Sequence, residues 1–236
     1  MGETDSDFGG KDEIDQRILD AAEQLIIRYR YDKTTVDDIA REAGVSKSTI
    51  YLRWKKKEDL FGALIWRAIR RYIEQWLALV EADPQGGTFR GMFKNALLAT
   101  QGNAFIKVIF SGDMRTIGGF INRPELQVPM NAKTEMSTAF MMRFQEAGII
   151  RSDRNVTAVS YLMGAMRYGL MNIGEAVLDV EAPPIDELME VLLDMLAGYL
   201  EPDGGGDSEI GKQIIREMMH QYNALLTQFE NSQLKT

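Results

Sequence analysis

Cysteine is absent from the 236-residue chain, and histidine occurs once, at position 220. Without cysteine there can be no disulfide, thiolate metal ligand or cysteine nucleophile. A lone histidine excludes multi-histidine metal sites and the commonest catalytic triads. The glycines form neither a GxGxxG nor a Walker pattern to cradle phosphates. Carboxylates are plentiful, yet no pair stands out from a solvated surface. The expectation is a protein that is not an enzyme, with no cofactor and no metal. Long hydrophobic runs are missing too: no stretch of about 18 apolar residues could span a bilayer. The opening MGETDSDFGGKDE is acidic and glycine-rich, the reverse of a secretory signal or transit peptide. A cytoplasmic setting with no membrane partner is expected.

A basic excess is also lacking, since the net charge is −8. Its distribution is uneven. From Arg28 to Arg71 twelve Lys or Arg stand against six Asp or Glu, so one short region is basic and the remainder acidic. A local basic patch on an acidic body leaves one face for a polyanion.

That patch coincides with the most structured stretch of the sequence, TVDDIAREAGVSKSTIYLRWKKK at 35–57. Thr35 stands where an N-cap belongs, and Asp38 three residues later completes an Asp variant of the capping box. Val36, Ile39 and Ala40 supply a short apolar face. Gly44 ends this helix in the position of a left-handed C′ residue. Ser46 caps the next helix at once, with Val45 and Ile50 placed as a hydrophobic staple. Stop and start signals this close leave room only for a sharp corner, which is the helix-turn-helix pattern.

At about 100° per residue, the second helix (Lys47 to Trp54) puts Lys47, Ser48, Tyr51 and Leu52 on one side and Ile50 and Trp54 on the other. A cation, a hydroxyl, a phenol and an apolar tip can read base edges in a major groove. Arg53, Lys55, Lys56 and Lys57 follow as cations for phosphates. A solvated helix end would explain an isolated lysine run. The paired caps, the glycine corner and the apolar back face together point to DNA.

Residues 35–60 resemble the DNA-binding segment of the TetR family of bacterial transcriptional regulators. The resemblance rests on Thr35, Val36, Ile39, Ala40, Ala43, Gly44, Val45, Ser46, Thr49, Tyr51, Lys57, Glu58 and Leu60, with Trp54 where phenylalanine is commoner. It covers residues 14–62, about a quarter of the chain. It implies an all-α fold: an N-terminal three-helix helix-turn-helix domain and a larger helical ligand-binding and dimerisation domain.

The expected organisation is a disordered tail at 1–11, the DNA-binding domain at 12–57, and the larger domain at 58–200. A linker and an extra amphipathic helix occupy 201–236. The first helix, Glu13 to Tyr29, carries Ile14, Ile18, Ala21, Ala22, Leu25 and Ile26 on one stripe. A long helix from Glu58 to Ala82 reaches from the first domain into the second; the resemblance implies that it carries motion from ligand to DNA. Glycines and prolines break 102–130 into short apolar pieces, which suit a cavity wall and a loosely ordered core equally. Helices are expected at Pro129–Ala147, Val156–Val177 and Ile185–Leu200. The last two, by resemblance, pair with their copies in a four-helix homodimer interface. Ile210, Ile214, Met218, Tyr222, Leu225 and Phe229 mark an additional amphipathic helix. Family members commonly finish before it, and interface, pocket cover and protein docking all remain open for it.

The sequence thus reads as a homodimeric, ligand-responsive repressor of a palindromic operator. Lys47, Ser48, Tyr51 and Leu52 would read bases, while Thr35, Thr49, Arg53 and Lys57 would contact phosphates. Met114, Phe120, Met136, Phe140, Phe144, Met163 and Met166 make an apolar or aromatic effector the expectation, with Arg167 to orient a polar group. The partners are then a double-stranded DNA operator, an unidentified small-molecule effector and a second copy of the chain. A ligand-independent regulator and a protein-interaction adaptor working through the last helix are the competing readings.

Overall fold

The structure, a computed structural model, describes residues 6–111, 114–117, 137–176 and 183–233. The described residues form helices and connecting turns, with no strand among them.

Three elements make the head: α1 (Ser6–Tyr29), α2 (Val36–Glu42) and α3 (Lys47–Tyr51), with a 3-10 turn at Tyr31–Lys33. Residues 6–11, expected to be disordered, lie in α1, because extending a helix whose later turns are packed costs little. The α1 stripe is buried as its spacing predicts, with Ile18, Ala21, Ala22 and Ile26 against Ile39, Ala40 and Ile50 of the next two helices. Between α1 and the 3-10 turn, Arg30 adopts φ 72°, a backbone region that non-glycine residues rarely visit. Thr34 holds this corner by donating from both its amide (3.2 Å) and its hydroxyl (2.9 Å) to the Arg30 carbonyl.

Helix α4 (Lys57–Ala82) is the axis of the molecule. Its first half buries Leu60, Phe61, Leu64 and Ile65, each of which adds roughly 2 kcal/mol by leaving water. Phe61 meets Tyr31 of the head at 4.7 Å and Phe105 at 6.1 Å, so the two parts share one core. The body continues with α5 (Phe89–Gln101), α6 (Ala104–Ser111), α7 (Met114–Ile117), α8 (residues 137–146), α9 (Val156–Ala176), α10 (Ile185–Leu200) and α11 (Ser208–Gln233). Of the expected helix Pro129–Ala147, residues 129–136 lie outside the described residues.

Helix α5 is bound to α10 by Arg90, which pairs with Glu190 at 2.7 Å and with Asp194. Gly148, at φ 72°, ends α8, and the join that follows is stitched to α10 by the Arg151 amide on the Leu200 carbonyl at 2.8 Å. Helix α11 is not a loose appendage. It runs antiparallel to α4, with Arg216 on Glu81 (2.7 Å) at one height and Arg70 on Thr227 (3.2 Å) at another. Its first turn lies so close to the Asp83–Gly87 turn that a Cβ on Gly211 would fall 1.8 Å from the Gly87 carbonyl oxygen. Only glycine fits there. The Gly87 amide also donates to Ser208 Oγ at 3.0 Å.

Candidate functional site

The corner between α2 and α3 forms by the capping chemistry that its residues dictate. Thr35 Oγ1 accepts from the Asp38 amide at 3.2 Å, and the Asp38 carboxylate accepts from the Thr35 amide at 3.2 Å. The hydrogen bonds from Thr35, aided by Arg41, hold the Asp38 carboxyl below its ordinary pKa of 3.8. Gly44 takes φ 64°, and Ser46 Oγ accepts from the Thr49 amide at 3.1 Å. Helix α3 is regular only to Tyr51, shorter than the expected Lys47–Trp54, and the next residues form a turn.

This geometry sorts the side chains as the helical wheel predicts. Ile50 is 1 % exposed and Trp54 9 %, whereas Tyr51 is 43 % exposed and Leu52 84 %. Lys47 and Ser48 lie on the same exposed face. Lys47 Nζ is aimed by Asp37 of α2 at 2.8 Å, and this bond raises the lysine's pKa. A cation, a hydroxyl, a phenol and an apolar tip therefore project together from one short helix.

The phosphate candidates divide. Thr35 stands exposed at the start of α2, and Thr49 is half-buried, its hydroxyl 2.7 Å from Ser46 Oγ. Arg53 and Lys57, the other two phosphate candidates, are half-buried and engaged within the head. Arg53 turns back to pair with Asp15 of α1 and to donate to the Thr49 carbonyl at 3.2 Å. Lys57 donates to the Tyr31 carbonyl and sits 3.9 Å from the centre of the Tyr31 ring. Burial there lowers its pKa. Both cations follow α3, Arg53 in the turn and Lys57 at the start of α4, and each finds a partner on α1 or the 3-10 turn. Lys55 and Lys56 are the exposed cations beside the helix tip.

A second site lies in the body. A cavity of about 210 Å³ is lined from α4 by Ile69, Tyr72, Ile73 and Trp76, from α5 by Met92, Phe93 and Ala96, and from α6 by Ile109 and Phe110. Ser137, Phe140 and Met141 of α8, Met163 of α9, and Met219 and Tyr222 of α11 complete the described wall. Phe140 and Met163 were legible as candidates. Phe144 stands outside this lining, fully buried and 6.4 Å from Phe140, edge to face. Met166 packs against the core outside this lining. Phe120 and Met136 lie outside the described residues, as do the side chains of Met114 and Arg167. The parts of the wall from α4, α5, α6 and α11 were not among the candidates.

Helix α4 joins the head, through α1, to the cavity. Arg67 is buried and binds α1 through Asp20 (2.7 Å), Glu23 (3.0 Å) and the Gln16 carbonyl (3.2 Å). Ile69 and Tyr72, within the next two turns, already line the cavity. On α9 and α10 a different surface is exposed: Tyr161, Leu162, Val191, Met195 and Tyr199 are all open to solvent in the single chain. Among the described residues no helix is long and apolar enough to cross a membrane, and no cluster of acidic or histidine side chains could hold a metal.

Residues 18–64 match the family model described as bacterial regulatory proteins, tetR family. The resemblance read from residues 35–60 is thereby borne out. A similar curated protein is the uncharacterised HTH-type transcriptional regulator YvkB of Bacillus subtilis (strain 168), 46 % identical over 50 residues. That stretch is 21 % of this chain and spans about a quarter (26 %) of that regulator. Solved structures extend the likeness in fold to about four fifths of the chain. NalD of Pseudomonas aeruginosa, the secondary repressor of the MexAB-OprM multidrug efflux pump, aligns with a TM-score of 0.61 at 21 % identity, over 83 % of this chain and all of NalD. FadR of Bacillus subtilis, solved in complex with stearoyl-CoA, aligns with a TM-score of 0.60 at 18 % identity, over 78 % of this chain and 98 % of FadR. The all-helical fold with an N-terminal helix-turn-helix head is that of TetR-type structures.

Proposed function

From a TetR-type head at residues 18–64, we propose that the chain is a homodimeric, ligand-responsive repressor acting in the cytoplasm on a palindromic operator. Lys47, Ser48, Tyr51 and Leu52 read base edges in the major groove. Thr35, Thr49, Lys55 and Lys56 contact the backbone. Arg53 and Lys57 serve the fold of the head first and reach phosphate only by leaving their present partners. The exposed apolar face of α9 and α10 seats a second copy, which sets two heads at the spacing of two half-sites.

The observation that carries this reading is the sharing of α4, which lines the cavity with Ile69, Tyr72, Ile73 and Trp76 and grips the head through Arg67. A small molecule that fits the cavity only when α4 shifts moves the head with it. Ligand and operator then prefer different conformers, and each weakens the other by the same factor. The cavity favours this over a ligand-independent regulator, whose body would be solid. The adaptor reading loses support because α11 spends Ile214, Ile215, Met218 and Tyr222 on the body rather than on an external partner. NalD is a repressor and FadR was solved with stearoyl-CoA, and both precedents agree with a repressor that answers to a ligand.

The decisive experiment is selection of bound DNA from a random-sequence pool at about 0.15 M salt, followed by gel filtration of the complex. Enrichment of a palindrome bound by two chains supports the proposal. A folded protein that enriches no motif, with and without a soaked extract of small molecules, refutes it.

A further inference from the structure

We propose that the terminal helix α11 makes the body cavity selective for compact, uncharged, largely apolar molecules that carry a hydrogen-bond acceptor, which the Tyr222 hydroxyl holds. The proposal rests on the reading of this cavity as an effector site. Tyr222 lines the cavity while only 6 % exposed, and among the described residues its hydroxyl has no hydrogen-bond partner. In a largely apolar cavity a hydroxyl without a protein partner gains more from a ligand acceptor than the same bond would in water.

The surroundings narrow the ligand. Of the other three residues of the described wall with polar side chains, Tyr72 has an interaction of its own, the Trp76 indole N–H donates to the Met92 carbonyl at 3.1 Å, and Ser137 Oγ lies 3.2 Å from Ser160 Oγ. No Asp, Glu, Lys or Arg is among the described lining residues, so on this part of the wall an ionic ligand would lose hydration without gaining a counter-charge. Burial pushes the Tyr222 pKa up to about 12, which keeps the phenol a neutral donor at physiological pH. The cavity of about 210 Å³ corresponds to roughly seven water molecules at their share of about 30 Å³ in the liquid. That is room for a single substituted ring.

Tyr222 is held in register rather than merely resting on the wall. Helix α11 is fixed by the Gly87–Gly211 contact at its start, then by Arg216 on Glu81 and Thr227 on Arg70. Met219 and Tyr222 fall between the last two ties. The hydroxyl therefore has a defined position, as a specificity group must.

The test uses three probes of one size and shape: acetophenone, ethylbenzene and benzoate. Their affinities are measured by titration calorimetry on the full chain and on Tyr222→Phe, which removes only the hydroxyl. The wild type should bind acetophenone about tenfold more tightly than ethylbenzene, and benzoate most weakly. In Tyr222→Phe the ketone should fall to the level of the hydrocarbon, whose own affinity stays constant. A ketone preference that survives in Tyr222→Phe overturns the proposal. So does tightest binding of benzoate, or binding of none of the three up to about 1 mM. Operator affinity read on the same samples separates the two claims. Tyr222-dependent binding that leaves operator affinity unchanged supports the selectivity and removes the effector reading. Operator release by a probe whose binding ignores Tyr222 upholds the effector reading and overturns the selectivity.

Discussion

The head and the body of this protein hold their candidate sites by opposite means. In the head, every group of the exposed α3 face lies within six residues of the others, and its posture is set by caps a few residues away. In the body, the cavity wall gathers residues from Ile69 to Tyr222, with no two elements able to define it alone. A site written locally survives poor packing elsewhere. A site assembled from six helices is only as good as the register of each.

The comparison can be broken most forcefully at the Gly87–Gly211 contact. Gly211→Val places side-chain atoms on the Gly87 carbonyl and should cost about 2–3 kcal/mol in urea unfolding. It should also abolish probe binding in the body while the isolated reading of DNA by the head persists. Equal loss of both functions would mean that the two sites are not separately held. The mirror experiment is Tyr51→Ala, expected to weaken operator binding at least tenfold with no change in the urea midpoint, because the ring is exposed.

Smaller effects sharpen the contrast. Thr35→Ala removes one half of the capping box and should lower the melting temperature by about 2–4 °C. The Asp38 carboxyl is held below 3.8 by Thr35, so the wild-type advantage is present above that pH and shrinks as the pH falls below it. An advantage that grew with acid would rule out the cap as its source. Lys57→Ala should change stability by about 1 kcal/mol and leave the salt dependence of operator binding nearly flat against wild type. A drop of about one unit in that slope would return Lys57 to the phosphate contacts.

The same contrast explains what could be read from the sequence. Caps, the Gly44 corner and the α3 face depend on neighbours within about one helical turn, and all were legible. The fates of Arg53 and Lys57 were not, since Asp15 lies 38 residues from Arg53 and the Tyr31 carbonyl lies 26 residues from Lys57. The boundaries of α4 and α10 followed from the periodicity of their apolar residues. The cavity did not, because an apolar face at helical spacing is the same whether it meets a side chain or a void. Phe140 and Phe144 illustrate this: both obey one stripe, yet one lines the space and the other stands behind it. Likewise nothing local told whether the α11 stripe would face a partner or its own body.

The tie between Arg70 and Thr227 spans 157 residues of chain. At a synthesis rate of about 5–20 residues per second, the second half of that tie emerges roughly 8–30 s after the first. Throughout this interval the nascent chain already has a complete helix-turn-helix head, while Ile73 and Trp76 on α4 await the helix that will cover them. Birth order therefore separates the two halves of the molecule in time: newly made chains pass through a stage with a finished head and an open, sticky flank. Chaperone demand in the cell should concentrate in that window.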